Sequence, residues 1–171
     1  MIYILLGLPR SGKSTIVNKL IGKSLYSNYS QIFNHYGLPE QYKILNQKDS
    51  FNVICADDIR LALTGQRFYA PAEPMVHSIK HTMIKASLLR GHPVLIDETH
   101  SSDRSIKELL DLTPNVYGYF MNTSPSECER RAIECGQNDL VDLGVIRRMT
   151  EGFRNMNPKY KTMFGIKAEW I

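Results

Sequence analysis

The chain has 171 residues, which is the length of one domain and enough to bury a sizeable core. Hydrophobic residues make up 43% and charged residues 22%, a globular balance that excludes an intrinsically disordered or fibrous chain. The formal net charge of +4 permits an anionic partner. It does not by itself indicate nucleic acid, because the basic residues are not gathered in one run.

The sequence also limits where the protein works. No run of about 18 apolar residues occurs, so we expect no membrane span. The apolar segment at residues 2–6 is typical of a buried strand rather than a signal peptide. Cys55, Cys128 and Cys135 form no C-x-x-C pair and are odd in number, so neither a disulfide framework nor a zinc site is expected. We expect three buried or half-buried thiols and a cytoplasmic protein.

The first half of the chain predicts two strands. A strand over residues 2–6 leads through a glycine-rich loop at 7–14 into a helix near Thr15. Residues 22–51 are polar and aromatic, and we interpret them as an inserted helical or flap segment. A second strand over 51–55 runs into a helix whose first turn carries acidic residues, as the helix dipole favours.

The second half continues the alternation of strand and helix. A long amphipathic helix is predicted over 72–89, because Met75, Ile79 and Met83 recur every four residues and Val76, Ile84 and Leu88 lie beside them. The further predicted elements are a strand over 93–97, a helix over 103–112, a strand over 116–121, a helix begun by a capping box at Ser124, a lid loop near 136–141, a helix over 142–153 and a candidate fifth strand within 163–171.

Strands that alternate with helices predict the fold class. We expect an α/β fold with right-handed crossovers, a parallel sheet of about five strands and helices on both faces. Because the chain shows neither an internal repeat nor an interdomain linker, residues 1–171 are predicted to form a single domain.

The most specific motif is the loop at residues 7–14, which reads G-x-x-x-x-G-K-S. Its glycines let successive backbone N–H groups point toward phosphate oxygens, and the helix that follows adds the positive end of its dipole. This motif predicts a nucleoside triphosphate site in which Lys13 reaches the β- and γ-phosphates and the Ser14 hydroxyl ligates Mg²⁺. The other residues that we expect to line this site are Gly7, Pro9, Arg10, Ser11, Gly12 and Thr15. Two orientations are open to Arg10, toward an acceptor or toward solvent.

Acidic residues follow two of the predicted strands. Asp97 ends the strand at 93–97, where it can hold Mg²⁺ directly or through water, whereas its neighbour Glu98 can equally be structural. Asp57 follows the strand at 51–55 on the same rim, where its carboxylate could accept the proton of an attacking hydroxyl. Arg60, one turn along, could clamp an acceptor phosphate. A helix-dipole role is the alternative for the acidic pair at 57 and 58.

Basic residues cluster on the two helices that flank the lid loop. Of the five arginines in this cluster, we expect one or two to act on phosphate and the rest to lie on a solvated helix face. They are Arg130, Arg131, Arg147, Arg148 and Arg154. Among the histidines only His100, just past Asp97, is placed to touch a substrate.

Four segments in this order resemble the P-loop kinases that phosphorylate polynucleotide 5′-hydroxyls, a group related to small-molecule kinases and zeta-toxin-like enzymes. They are GLPRSGKST at 7–15, ADDIR at 56–60, VLIDET at 94–99 and IRRM at 146–149. The resemblance implies a P-loop NTPase fold of the nucleoside-kinase type that uses ATP and Mg²⁺. The resemblance further implies that Lys13 and Ser14 bind the triphosphate and the metal ion, and that Asp97 lies in the active site near them. On the acceptor side it implies that Asp57 is the general base and that Arg60 contacts the acceptor phosphate. Arg131 would be a lid arginine, and the helix that carries Arg148 would lie near the adenine.

The chain departs from that group at two places. A second lid arginine is expected four residues after Arg131, but this position holds Cys135, which leaves Arg130 or Arg148 as the substitute. The segment at 22–51 is an insertion.

Three functions remain open from the sequence. The first is a kinase that phosphorylates a nucleic acid 5′-hydroxyl end. The second is a kinase for a small molecule such as a nucleoside, sugar, antibiotic or nucleotide-sugar, with the acceptor contacted by residues 22–51 and 64–74. The third is a non-catalytic nucleotide-binding module, against which the acidic residues Asp57 and Asp97 argue.

Overall fold

The computed structural model describes residues 1–17, 52–66, 68–135 and 142–167. The strands are β1 (Ile2–Leu6), β2 (Asn52–Cys55), β3 (Val94–Asp97) and β4 (Val116–Phe120). The helices are α1, of which residues 13–17 are described, α2 (Ala56–Thr64), α3 (Glu73–Leu89), α4 (Asp103–Leu110), α5 (Pro125–Glu134), α6 (Leu143–Asn155) and α7 (Pro158–Phe164), with a 3₁₀ turn at Ala70–Ala72.

The described strands form one parallel sheet in the order β2-β3-β1-β4. Ile4 of β1 lies level with Ile96 of β3 and Gly118 of β4, and Cys55 of β2 lies level with Asp97. This register brings the carboxyl ends of β1, β2 and β3 to one edge of the sheet. The predicted α/β fold is therefore confirmed, with four strands in the described residues.

The prediction of a strand from residue 163 is wrong for its first part, because residues 163 and 164 belong to α7. Asn157 caps this helix by accepting a hydrogen bond from the Lys159 N–H, and Pro158 occupies its first position. Phe164 is buried in the core, so the apolar tail residues serve a helix that packs on the sheet. Residues 168–171 lie outside the described ranges.

Alternate side chains of β1 enter two different cores, as the pleat of a strand requires. Ile2, Ile4 and Leu6 belong to a large cluster on one face, whereas Tyr3 and Leu5 belong to a cluster on the other. The large cluster includes residues of α3, α4, α5, α6 and α7, and the second includes Ile16 and Val17 of α1. Helices therefore cover both faces, as predicted.

The inner face of α3 agrees in part with the apolar spacing, because Val76 and Ile84 are buried and Ile79 and Leu88 pack against the core. Met75 and Met83 are exposed, and the buried positions are Val76, Lys80, Ile84 and Ser87. The two polar residues are tolerated because each has a partner: Lys80 binds Glu98 at 2.9 Å, and Ser87 accepts a hydrogen bond from the Asn52 amide at 2.9 Å. Hydrophobic periodicity does not detect polar side chains on an inner face, which is why it does not predict the burial of Lys80 and Ser87.

Some predictions fall on residues that are not described. These are the segment at 22–51 and the lid loop at 136–141, which leave the single-domain organisation a prediction. None of the helices in the described ranges combines the length and apolar character that a bilayer crossing demands. Of the three thiols, Cys128 is buried and Cys55 half-buried as expected, but Cys135 is exposed because it follows the last residue of α5.

Candidate active site

The loop at residues 7–14, here called the phosphate loop, lies at the edge where β1, β2 and β3 end. β1 continues through it into α1 on one face of the sheet, whereas β3 continues toward α4 on the other. Ligands of parallel α/β sheets bind where neighbouring strands diverge in this way. Asp97 ends β3, and Asp57 lies two residues beyond the end of β2. The fold thus gathers three of the predicted motifs at one crevice.

The phosphate loop has a backbone that few residues can adopt. The φ angles of Gly7, Arg10 and Gly12 are 152°, 67° and 99°. A Cβ atom on Gly7 would lie 2.8 Å from Cβ of Met121, so no larger residue fits there. Arg10 adopts its positive φ with a full side chain, which costs on the order of 1–3 kcal/mol unless surrounding contacts hold the conformation.

Contacts of that kind surround the loop, because side chains hold four of its carbonyl groups. Lys13 Nζ donates to the oxygens of Gly7 and Leu8 at 2.9 and 2.8 Å. Thr123 Oγ1 donates to the Ser11 oxygen at 3.0 Å. Arg131 Nη1 donates to the oxygen of Arg10 at 3.1 Å. These bonds fix the peptide planes and therefore the directions of the N–H groups on which phosphate binding depends.

Lys13 is buried at the centre of this arrangement. Burial lowers the pKa of its ammonium group to about 8, and the negative charges of Asp97 and Asp57 oppose that shift. A bound phosphate would add further negative charge and favour the protonated lysine. Lys13 is therefore electrostatically coupled to both acidic motifs at the crevice.

Ser14 and Asp97 form the pair that the sequence assigns to a metal ion. Burial raises the pKa of the Asp97 carboxyl group, and the nearby Ser14 hydroxyl and the charge of Lys13 act in the opposite direction. A hydroxyl and a carboxylate side by side are the hard oxygen ligands that Mg²⁺ prefers beside nucleotide phosphates. The donor set therefore fits magnesium.

Asp57 and Arg60 lie on the first turns of α2, and Arg60 joins two carboxylates. Its Nη1 binds Asp57 Oδ1 at 2.6 Å, while Nε and Nη2 bind the two oxygens of Glu73 at 2.7 and 2.8 Å. The hydrogen bond with Arg60 is the main reason that the pKa of Glu73 is lowered. The Asp57 side chain remains 57% exposed. Asp57 is therefore open to a ligand, while Arg60 is fixed from behind by the first residue of α3.

Glu98 and His100 do not face the crevice in the way that Asp97 does. Glu98 forms an ion pair with the buried Lys80, which favours the structural reading of this residue. His100 is buried, with a φ of 49°, and burial lowers its pKa to about 4. The loop after β3 buries the His100 ring, and a contact between His100 and a substrate stays a prediction.

One arginine of the basic cluster reaches the phosphate loop. Arg131 does so while Glu127 holds its Nε at 2.7 Å. The others that form ion pairs do so along the helix surface: Arg130 with Glu127 and Glu134, Arg147 with Glu129, and Arg154 with Glu151. Arg148 is exposed, and no hydrogen bond within the described ranges joins it to the phosphate loop. Its adenine-side position, like the roles of the other site residues, stays a prediction.

Sequence reasoning missed Glu73, Met121 and Thr123. Glu73 is the bidentate partner of Arg60, and the other two residues contact the phosphate loop from the segment after β4. The one signal in the sequence is position: Glu73 begins a helix, and Met121 and Thr123 follow a buried strand at the edge of the sheet that carries the loop.

Solved structures of similar fold include a chain of the Pnkp1/Rnl/Hen1 RNA repair complex, with a TM-score of 0.62 and 19% sequence identity over 90% of this chain. The chain has the P-loop kinase fold. This chain spans only 43% of that relative's length. A sugar kinase from a Janibacter species also matches, with a TM-score of 0.55, 13% identity and coverage of 92% of this chain and 79% of that one.

A gluconokinase from Sinorhizobium meliloti is a further match to this P-loop kinase fold, with a TM-score of 0.50, 15% identity and coverage of 95% of this chain and 78% of that one. At these identities the likeness concerns the fold. No family model and no curated protein sequence matches the chain.

Proposed function

We propose that this protein transfers the γ-phosphoryl group of ATP to the 5′-hydroxyl of a nucleic acid end. The observation that carries the proposal is the position of Asp97 and Asp57 at the ends of two adjacent strands, where the charges of both act on Lys13 of the phosphate loop. In this proposal the loop at residues 7–14 binds phosphate, Ser14 and Asp97 hold the metal ion, and the exposed carboxylate of Asp57 acts on the acceptor at the same crevice. A module that only binds nucleotide has no need of the exposed carboxylate.

On the donor side, the phosphate loop would bind the triphosphate through its N–H groups and through Lys13. Ser14 and Asp97 would hold Mg²⁺, which supplies charge neutralisation at the phosphate oxygens when bound. Arg131 lies against the loop and can stabilise charge that develops on the transferred group. The loop N–H groups, Lys13, Arg131 and the Mg²⁺ held by Ser14 and Asp97 would all direct positive charge toward the triphosphate.

On the acceptor side, Asp57 is the group placed to accept the proton of the attacking hydroxyl. The hydroxyl oxygen bonds to the γ-phosphorus, the bond from that phosphorus to the bridging oxygen breaks, and ADP leaves with the electron pair. The proton passes to Asp57. Arg60 holds Asp57 at 2.6 Å and, with Glu73 behind it, keeps the carboxylate oriented toward the crevice.

A second candidate function is phosphorylation of an uncharged small molecule such as a sugar. The observation that favours it is the pairing of Arg60 with two carboxylates, Asp57 and Glu73, which offset its charge. An arginine in that state attracts an acceptor phosphate less strongly than one with a single partner. The similarity in fold to a sugar kinase is compatible with this alternative.

The deciding experiment uses γ-labelled ATP, Mg²⁺ and a 5′-hydroxyl oligonucleotide, with Asp57→Asn as the variant. We expect label on the oligonucleotide and a loss of about 10²-fold or more in the variant, the range for removal of a general base. Asp111→Asn is the matched control, because Asp111 is an exposed aspartate at the end of α4. Labelling of a sugar or nucleoside but not of the oligonucleotide would establish the second candidate. Equal rates for Asp57→Asn and the wild type would contradict the role of Asp57.

A further inference from the structure

A polar groove of about 740 Å³ lies between α3 and α4, on the face of the sheet opposite α1. Its walls come from a stripe of α3 that includes His77, His81 and Lys85 and from the segment around Arg104 and Glu108. These side chains are half-buried or exposed, with Arg104 88% exposed. Among the described residues, no phenylalanine, tyrosine or tryptophan lines the groove. A lining of this kind suits a charged, extended ligand better than a compact apolar one.

The groove begins at the edge that carries the candidate active site. Its first α3 residue, Pro74, follows Glu73, which holds Arg60. Its first residue on the other wall, Ser102, comes shortly after Asp97 in the same connection from β3 to α4. From Pro74 to Lys85 the α3 wall runs for about 16 Å, at 1.5 Å per helical residue. The groove therefore begins near Asp57 and Arg60 and extends away from them along α3 and α4.

The charges of the groove favour an anion. Lys85 and Arg104 outnumber the single carboxylate of Glu108, which leaves one excess positive charge with both histidines neutral. Glu108 is itself engaged, at 2.9 Å from Arg104 and 3.7 Å from His81. Hydroxyl groups of Ser78, Thr82, Ser102 and Ser105 add hydrogen-bonding capacity along the walls. Cations interspersed with hydroxyls are the groups that proteins use to contact phosphodiester backbones.

We propose that this groove binds the phosphodiester backbone of a single-stranded acceptor on the 3′ side of the hydroxyl that is phosphorylated. The inference rests on the proposed function. It specifies that the acceptor is a strand of several nucleotides rather than a nucleoside or a very short nucleic acid end. Since one strand advances about 3.4 Å per nucleotide when stacked, a 16 Å wall spans roughly four to five nucleotides. Contacts to the backbone alone make binding independent of base sequence.

The test compares a dinucleotide with a 12-nucleotide acceptor, both with a 5′-hydroxyl, in the wild type and in the double variant Lys85→Gln/Arg104→Gln. We expect KM for the 12-mer to rise about tenfold, with a much smaller change for the dinucleotide. Loss of Arg104 also removes the arginine partner of the Glu108 carboxylate. The negative charge of Glu108 then repels phosphate, which raises KM for the 12-mer further. Glu108→Gln should act in the opposite direction and lower KM for the 12-mer.

The control is Lys107→Gln/Lys159→Gln, which removes two exposed lysines that do not line the groove. It changes the net charge equally, so an equal effect on the 12-mer would overturn the proposal and indicate long-range charge alone. Fluorescence anisotropy of the 12-mer gives a readout that needs no catalysis. Each lost phosphate contact should reduce the slope of log K against log salt by about 0.7 for a single strand.

The two proposals fail in different ways. If the wild type labels both acceptors and the groove variant changes neither KM nor the salt slope, the groove is not a nucleic acid site although the kinase assignment stands. If no oligonucleotide is labelled but the 12-mer binds and the groove variant weakens it, the groove proposal holds and the proposed reaction does not. Absence of binding by the wild type would overturn both.

Discussion

Thr123 Oγ1 donates a hydrogen bond to the carbonyl oxygen of Ser11 at 3.0 Å, across 112 positions of the chain. The segment after β4 thereby supports the phosphate loop from its outer side, where Met121 also packs against Gly7 and Gly12. The shape of the phosphate loop depends on residues that carry no charge and belong to no phosphate-binding motif.

Thr123→Val should weaken nucleotide binding while leaving the fold intact. The valine fills the same space but leaves the Ser11 oxygen without its donor, at a cost of about 1 kcal/mol or somewhat more. We expect Kd for ATP to rise roughly five- to tenfold in isothermal titration calorimetry. Thr123→Ser keeps the hydroxyl and should bind as the wild type does. An unchanged Kd in Thr123→Val would show that the loop holds its shape without this bond.

Arg131 and Arg130 offer a matched comparison, because both bind Glu127 but Arg131 alone of the two reaches the phosphate loop. Arg131→Ala should lower kcat by tenfold or more, since it removes a cation beside the developing charge. Arg130→Ala should leave kcat within about twofold, because exposed ion pairs on helices contribute little. Steady-state kinetics with ATP and the oligonucleotide acceptor measure both. Equal losses would assign the effect to Glu127, which both variants release.

The phosphate loop, the four strands and most helix boundaries could be predicted from the sequence, because each has a local signal. Ser124 accepts a hydrogen bond from the Glu127 N–H, as its capping box predicts. The α7 helix has equally local signals in Asn157 and Pro158, but the apolar residues after them also fit a strand. Short apolar runs do not distinguish the two structures, since both serve a buried face.

The parts that could not be predicted depend on residues far apart in the chain. The sequence places Arg60 near an acceptor, but nothing local indicates that Glu73 takes two of its hydrogen bonds. Likewise, nothing in the sequence around Lys80 indicates that this lysine is buried and forms an ion pair with Glu98. Hydrophobic periodicity describes which face is apolar and carries no information about which polar groups meet across elements.

His100→Asn should reduce the acid sensitivity of the protein. Burial lowers the folded pKa of His100 to about 4, and Glu98, Lys80, Lys13 and Glu108 are the charges that act on it. Between pH 6.5 and 4 the unfolded chain therefore binds a proton at this residue that the folded chain excludes. Stability rises with pH across that window and is lost as pH falls, by at most about 1.4 kcal/mol per pH unit.

Asparagine adopts a positive φ readily, so it suits the φ of 49° at this position. Urea unfolding of the wild type and His100→Asn at several pH values between 4 and 7 measures the difference. Parallel curves for the two proteins would mean that His100 does not contribute to the acid sensitivity.

Gly152→Ala should destabilise the protein, although alanine is the better helix former by roughly 0.5–1 kcal/mol. A Cβ atom at this position of α6 would lie 2.4 Å from the backbone oxygen of Ser101. Backbone cannot rotate away as a side chain can, so we expect a net loss of about 1–3 kcal/mol in urea unfolding. In Gly144→Ala the nearest atom is 3.2 Å away on the exposed Asp142 carboxylate, which can move. A stable Gly152→Ala variant would show that α6 shifts easily over the loop after β3.

The strand order has a consequence for how the protein is made. β1 pairs with β3 and β4 and never with β2, so the strand that leads into the phosphate loop has no partner among the described residues before Val94. During synthesis, β1 and the phosphate loop that follows it therefore lack both neighbouring strands until β3 and β4 have been made. Long sequence separation of this kind slows folding and favours aggregation of partly synthesised chains.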